Sequence, residues 1–152
     1  MSEQVWLATV HLLRPYTRDR LEVGVYWYGL RTSEAALATV VGIPRQNNRP
    51  RNFQVEADDL AELTRSVQEP LLMVAQVHTH PSWDTEHSRC DDERAASRKI
   101  LSIVLPDYGD GAEVTEAGWH EFRNDQWERL DRSEIKERLR IIPASLDARS
   151  ER

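Results

Sequence analysis

The sequence predicts an α+β domain with a central, largely antiparallel sheet and helices packed on it. Three observations lead there. Short apolar runs of strand length recur, of which residues 71–77 and 100–105 have the most buried character. Ahead of these two runs lies a helical period, with Leu60, Leu63 and Val67 at i, i+3 and i+7. Two connections, residues 31–35 and Asn124-Asp125, are short enough to close hairpins. At 152 residues the chain is one ordinary domain, read here as residues 1–143 followed by a frayed tail, 144–152.

Each element follows from local chemistry. Residues 5–13 are apolar and end before Arg14-Pro15; helix and strand both fit them, and helix is the favoured reading. Residues 22–30 are rich in Val, Tyr and Trp and carry glycines, which favours a strand; residues 36–43 read as its hairpin partner. Residues 44–52 are polar and turn-forming, hence a loop. Residues 57–68 form a helix with Asp58 and Asp59 near its start, where the helix dipole favours them. A strand over 71–77, a helix over 91–98 and a strand over 100–105 follow, the last stopped by Pro106. Residues 117–123 and 126–130 make a hairpin, and Ser133 caps a final helix through Arg140. Tyr26, Trp27 and Tyr28 stand in succession, so they point to both faces of their strand, one into the core and another beneath a helix.

The chemistry concentrates in one stretch, His78-Thr79-His80-Pro81 with Ser88-x-x-Asp91 after it. In a strand, residues i and i+2 share a face, so His78 and His80 aim both imidazoles at one point. Pro81 cannot continue a central strand, which sets the histidines at its end, facing a loop. Asp91 at the start of the next helix returns a carboxylate to the same point. Two imidazoles and a carboxylate leave the fourth tetrahedral position of a zinc ion open, the arrangement of catalytic rather than structural zinc. Lone histidines are usually surface or core residues, but two at strand spacing beside a proline are uncommon by chance. Ser88-x-x-Asp91 also satisfies a capping box, which for Asp91 competes with metal ligation. His87 reads as a residue behind the ligands or facing substrate, because a fourth protein ligand would close the site. Cys90 lies too near His87 in sequence to imply a catalytic dyad. Trp83 walls the site or packs in its loop.

The spacing of these residues resembles the signature of the JAMM/MPN metalloproteases: His78-x-His80, seven residues to Ser88, ten to Asp91. Residues 22–29, Glu22 through Gly29, resemble the family's upstream glutamate segment more loosely, because Gly24 arrives one position early. The resemblance covers most of the chain in the order of its elements, with only the two motifs specific. It implies the MPN (JAB/JAMM, cytidine-deaminase-like) fold and one catalytic zinc ion on His78, His80 and Asp91. It implies Glu22 as general base, with Glu56 the fallback, and Ser88 as a donor to the oxygen of the attacked carbonyl. The implied activity is zinc-dependent cleavage of isopeptide or peptide bonds at the C-terminus of a ubiquitin-like protein. Stand-alone members of this kind accompany activating and conjugating enzymes, including those of antiphage systems. Two other readings stay open: a noncatalytic MPN scaffold, and release of a sulfur-carrier adduct or a RadC-like role.

Composition sets the outer bounds. The chain is too short for the (β/α)₈ barrel that also carries His-x-His metal motifs, which takes about 250 residues. One cysteine excludes a disulfide framework and any Cys-rich structural zinc, and fits a reducing compartment. No apolar run approaches the roughly 20 residues of a membrane span, and no basic-then-apolar leader opens the chain. A net charge of −6 argues against nonspecific nucleic-acid binding. A soluble, cytoplasmic protein is expected, with neither nucleic acid nor membrane among its partners.

Overall fold

A computed structural model describes residues 1–143. The tail predicted over 144–152 lies outside the described residues. The elements run α1 (Glu3–Asp19), β1 (Gly24–Arg31), β2 (Ala36–Gly42), β3 (Asn47–Arg49), β4 (Asn52–Gln54), α2 (Ala57–Ser66), β5 (Leu72–Thr79), α3 (Arg89–Arg94), β6 (Leu101–Leu105), β7 (Gly118–Arg123), β8 (Gln126–Arg129) and α4 (Arg132–Arg138). Six strands form one mixed sheet in the order β2-β1-β5-β6-β7-β8, antiparallel except between β5 and β6. The predicted α+β class and largely antiparallel sheet are therefore present.

The register sorts side chains by face. Val25, Val77, Ile103 and Trp119 are cross-strand neighbours, all buried in one apolar cluster with Val5 and Leu13 of α1. Trp27 belongs to the same cluster and donates its indole N–H to Thr9 Oγ1 of α1 at 2.8 Å. One step along, Tyr26, Gln76, Ser102, His120 and Arg129 form a second row. Tyr28 is tied to α2 by a 3.1 Å hydrogen bond to Thr64. The aromatic triplet thus splits between a core position and a place beneath a helix, as alternation requires.

Several predicted boundaries shift for identifiable reasons. α1 runs on to Asp19 through Pro15. The proline removes the helical donor to the carbonyl of His11, which stands on the exposed side of the helix. Residues 44–52 are not wholly loop: Asn47–Arg49 and Asn52–Gln54 pair as a small hairpin. Its partners are remote, since Glu22 N–H donates to Arg49 O and Asn48 Nδ2 donates to Glu22 O, at 2.9 and 2.7 Å. β1 begins at Gly24, two residues after Glu22. α3 starts and stops earlier than predicted, over Arg89–Arg94, because Ser88 is its N-cap. α4 is capped by Asp131, not Ser133, with Glu134 completing the box, and it ends at Arg138. The β7–β8 turn holds Asn124 and Asp125 at φ 50° and 61°, the left-handed pair that a two-residue hairpin needs.

Candidate metal centre and groove

β5 delivers the two histidines as the sequence predicts. His78 is 1% exposed and sits opposite Gly24 in the β1–β5 pairing. Continuing that register brings Glu22 opposite His80, and the Thr79 N–H bond to Val23 O at 3.1 Å keeps it. Asp91 arrives from α3. Its Oδ1 lies 3.3 Å from His78 Nε2 and its Oδ2 lies 3.2 Å from His80 Nε2. The three residues each offer one ligand atom within 4.8 Å of the others, a group that could hold a metal ion.

Capping leaves both carboxylate oxygens of Asp91 beside the imidazoles, so the either/or expected from sequence does not hold. Asp91 Oδ2 accepts from Ser88 N–H at 2.7 Å while Ser88 Oγ accepts from Asp91 N–H at 3.2 Å, a complete capping box. Both oxygens nevertheless face the imidazoles, because a carboxylate has about four acceptor sites and the box uses one. The box therefore fixes the carboxylate's orientation.

The residues fit a cation. His80 Nδ1 lies 3.1 Å from the carbonyl oxygen of Asp84, which can only accept, so Nδ1 carries the proton. In the neutral ring Nε2 then turns a lone pair on Asp91. Such a lone-pair contact calls for a proton or a metal between them. His78 is fully inside, yet neither ring nitrogen has a hydrogen-bond partner among the described residues; its approach to Asp91 is close but not aligned as a bond. A buried unpaired donor or acceptor costs about 1–3 kcal/mol, so the arrangement is one that ligation would repair.

The electrostatics agree with the geometry. Burial pulls the Asp91 carboxyl upward, but the two imidazoles and Ser88 outweigh it and hold it far below the usual carboxylate range. Burial also lowers His78. At His80 burial acts the same way but Asp91 overcomes it, leaving the imidazole raised. Glu22, 8% exposed, is pushed up to about 7 by burial, against the pull of His80 and Arg51 and with help from Asp91. A carboxyl balanced near neutrality beside a metal site is suited to moving protons.

Glu22, His80, Ser88 and Asp91 line one groove of about 640 Å³, walled by Arg51, β4 and the start of α2 on one side and residues 80–96 on the other. Glu56 lines it too, but stands at the exposed N-cap of α2, hydrogen-bonded by Gln54 Nε2 at 2.7 Å. Trp83 is 71% exposed and is not part of that lining, so it neither packs in its loop nor walls the groove. His87 lines the groove as well, with both ring nitrogens occupied: Nδ1 meets Asp92 Oδ1 at 2.8 Å and Nε2 meets Ser102 Oγ at 2.6 Å. With both nitrogens engaged it can pair with neither Cys90 nor a metal.

Sequence reasoning missed His120. It is 1% exposed on β7, its ring 4.9 Å from that of His87, and neither nitrogen has a hydrogen-bond partner among the described residues. Burial, with the neighbouring His87, lowers its pKa to about 4, so it is neutral. Its alternation with Trp119 places it on the polar row, but no motif marks it.

No helix among the described residues is long and apolar enough to cross a membrane. No protein-family model matches the chain, and no curated protein does. Among solved structures, the chain is similar to a protein from Salinibacter ruber whose solution structure was determined by structural genomics. The two share 18% identity and a TM-score of 0.60 over 100% of this chain and 95% of the other. At that identity the likeness shows a shared α+β fold and nothing of activity.

Proposed function

We propose that this chain is a zinc-dependent amide hydrolase of the JAMM/MPN type that cuts at the C-terminus of a ubiquitin-like protein, from a conjugate or from a precursor. The observation that carries the reading is the meeting of His78, His80 and both oxygens of Asp91 beside a buried glutamate balanced near pH 7. His78, His80 and Asp91 are the ligands. The ion would polarise the scissile carbonyl and bring the pKa of a coordinated water to about 7. Glu22 accepts the proton of the attacking water and passes it to the leaving amine. Ser88 Oγ is an acceptor in the capping box, so its own O–H stays available to donate to the carbonyl oxygen as it gains charge. The groove takes an extended tail, aligned along the β3–β4 hairpin by strand addition. A lysine side-chain amine as leaving group makes the reaction deconjugation; a backbone amine makes it maturation. Activating and conjugating enzymes of the same system are the expected companions.

The test has two arms. Purified wild type should carry close to one zinc per chain, and His78→Ala and His80→Ala should carry almost none; wild-type zinc in both variants overturns the site. Fusions of candidate ubiquitin-like modifiers to a reporter should then be cut after the modifier's last residue, and a chelator should stop it. Cleavage of unrelated unfolded peptides at equal rates would make the chain a general peptidase. Tight binding of a modifier without zinc-dependent cleavage would favour the scaffold reading.

A further inference from the structure

α3, which carries Asp91, is six residues long and none of them is buried. A helix that short does not hold itself, and apolar packing does not hold this one. A run of hydrogen bonds does. Ala96 N–H donates to Gln76 Oε1 at 2.9 Å, Gln76 Nε2 donates to Ser102 Oγ at 3.4 Å, and Ser102 Oγ lies 2.6 Å from His87 Nε2. His87 Nδ1 in turn lies 2.8 Å from Asp92 Oδ1. Only one assignment satisfies every atom. The carboxylate accepts from Nδ1–H, so Nε2 is the acceptor and the Ser102 hydroxyl must donate to it. The series therefore runs one way, from just past the C-terminal end of α3, through β5 and β6, and back to its first turn. Ser102 is fully buried, so no substrate reaches it and the Ser-His-Asp order here serves no nucleophile.

We propose that Gln76, Ser102, His87 and Asp92 form a clamp that positions Asp91 against the two histidines, with Ser102 and His87 as positioning residues of the metal site. This rests on the metal reading above. Gln76 and His78 share one face of β5 and His80 follows directly after its end, so the strand that leads to two ligands also anchors the element that supplies the third. Arg129 ties Thr85 and Glu86 to β8, and Arg94, the last residue of α3, reaches Asn52 and Phe53 O; these contacts hold the two ends and leave the first turn of α3 to the clamp and to the Ser88–Asp91 capping box.

Two variants of the full chain test it. Ser102→Ala removes the central link; Asp92→Ala removes an exposed terminal one and carries little risk to folding. Both should weaken zinc binding by about 10- to 100-fold. Asp92→Asn keeps an oxygen acceptor for His87 Nδ1–H and should stay near wild type. In the metal-free protein, amide exchange at Ser88 and Asp91 should quicken on the order of tenfold in the two alanine variants, while that of Trp27 in the sheet holds. Unchanged exchange at Ser88 and Asp91, or a rise matched at Trp27, overturns the clamp. Wild type that takes up no zinc overturns the metal reading instead, while local quickening of exchange still supports the clamp.

Discussion

On one face of the sheet Val25, Val77, Ile103 and Trp119 stand side by side; one register step away, on the other, stand Tyr26, Gln76, Ser102 and His120. The first row is covered by α1 and fills space. Its contribution scales with buried area and is indifferent to direction. The second row is covered by residues 80–96 and by the groove, and its contribution depends on which atom donates to which. Polar groups there are either satisfied in series, as at Gln76, Ser102 and His87, or without a hydrogen-bond partner among the described residues, as at His78 and His120. The contrast assigns different work to the two faces. The apolar face holds the strands together, and the polar face sets the positions of a few atoms at the strand ends.

That division can be broken by experiment. Leu13, 1% exposed on α1, belongs wholly to the apolar face. Leu13→Ala should cost about 2–5 kcal/mol of stability, read from urea unfolding, with zinc affinity of the folded protein unchanged. Affinity that falls in step with stability would mean the two faces are not separable.

Glu22→Gln should act in the opposite sense. Turnover should fall on the order of 100-fold or more while zinc is retained, since only proton transfer is lost. Full activity in this variant, with activity lost in Glu56→Ala, would move the base to Glu56. In the metal-free protein Glu22 has a folded pKa near 7, above its ordinary 4.5. The folded state then binds a proton that the unfolded chain has already released. Its favourable contribution is complete below about pH 4.5 and is lost as pH rises through about 7. Relative to Glu22→Gln, wild type should therefore weaken across that window, by up to about 3 kcal/mol. A difference between the two that is flat with pH would show that burial does not perturb Glu22.

The sequence displays the parts of this design that lie close together in the chain. His78 and His80 are readable because strand alternation and Pro81 fix their face and place. Asp91 is readable from its place at the start of the next helix, although the capping box looked like a rival to ligation until both carboxylate oxygens had positions. The β3–β4 hairpin is hidden because Asn47, Asn48 and Arg49 have no apolar alternation; backbone groups of Glu22 hold them. His120 and Ser102 are hidden for a related reason. Each meets its neighbours across strands, at separations of 15 residues or more for His87–Ser102 and Gln76–Ser102, and single polar residues within apolar strands carry no local mark of what lies opposite. Asp131 displaced Ser133 as the cap because its Oδ1 receives two backbone N–H groups, Ser133's included, a geometry that composition does not rank.

The smallest expected effect probes a polar interruption of the apolar face. Thr9 Oγ1, fully buried on α1, donates to Val5 O at 2.7 Å and accepts from Trp27 Nε1 at 2.8 Å. Thr9→Val keeps the shape of the side chain and removes both bonds. The Val5 carbonyl still has a helical donor in the N–H of residue 9, so its loss is slight. The Trp27 indole N–H is left buried without an acceptor, next to the Trp119 ring whose centroid lies 6.2 Å away. The cost should be about 1–2 kcal/mol, within the range for an unsatisfied buried donor and below that of Leu13→Ala. Zinc affinity should not move, because Trp27 and His78 point to opposite faces of the sheet. A Trp27→Phe, Thr9→Val double variant removes donor and acceptor together and should recover part of the loss, net of the smaller ring. Additive losses in the double variant would mean that the hydrogen bond contributes nothing and that the apolar face is packing alone.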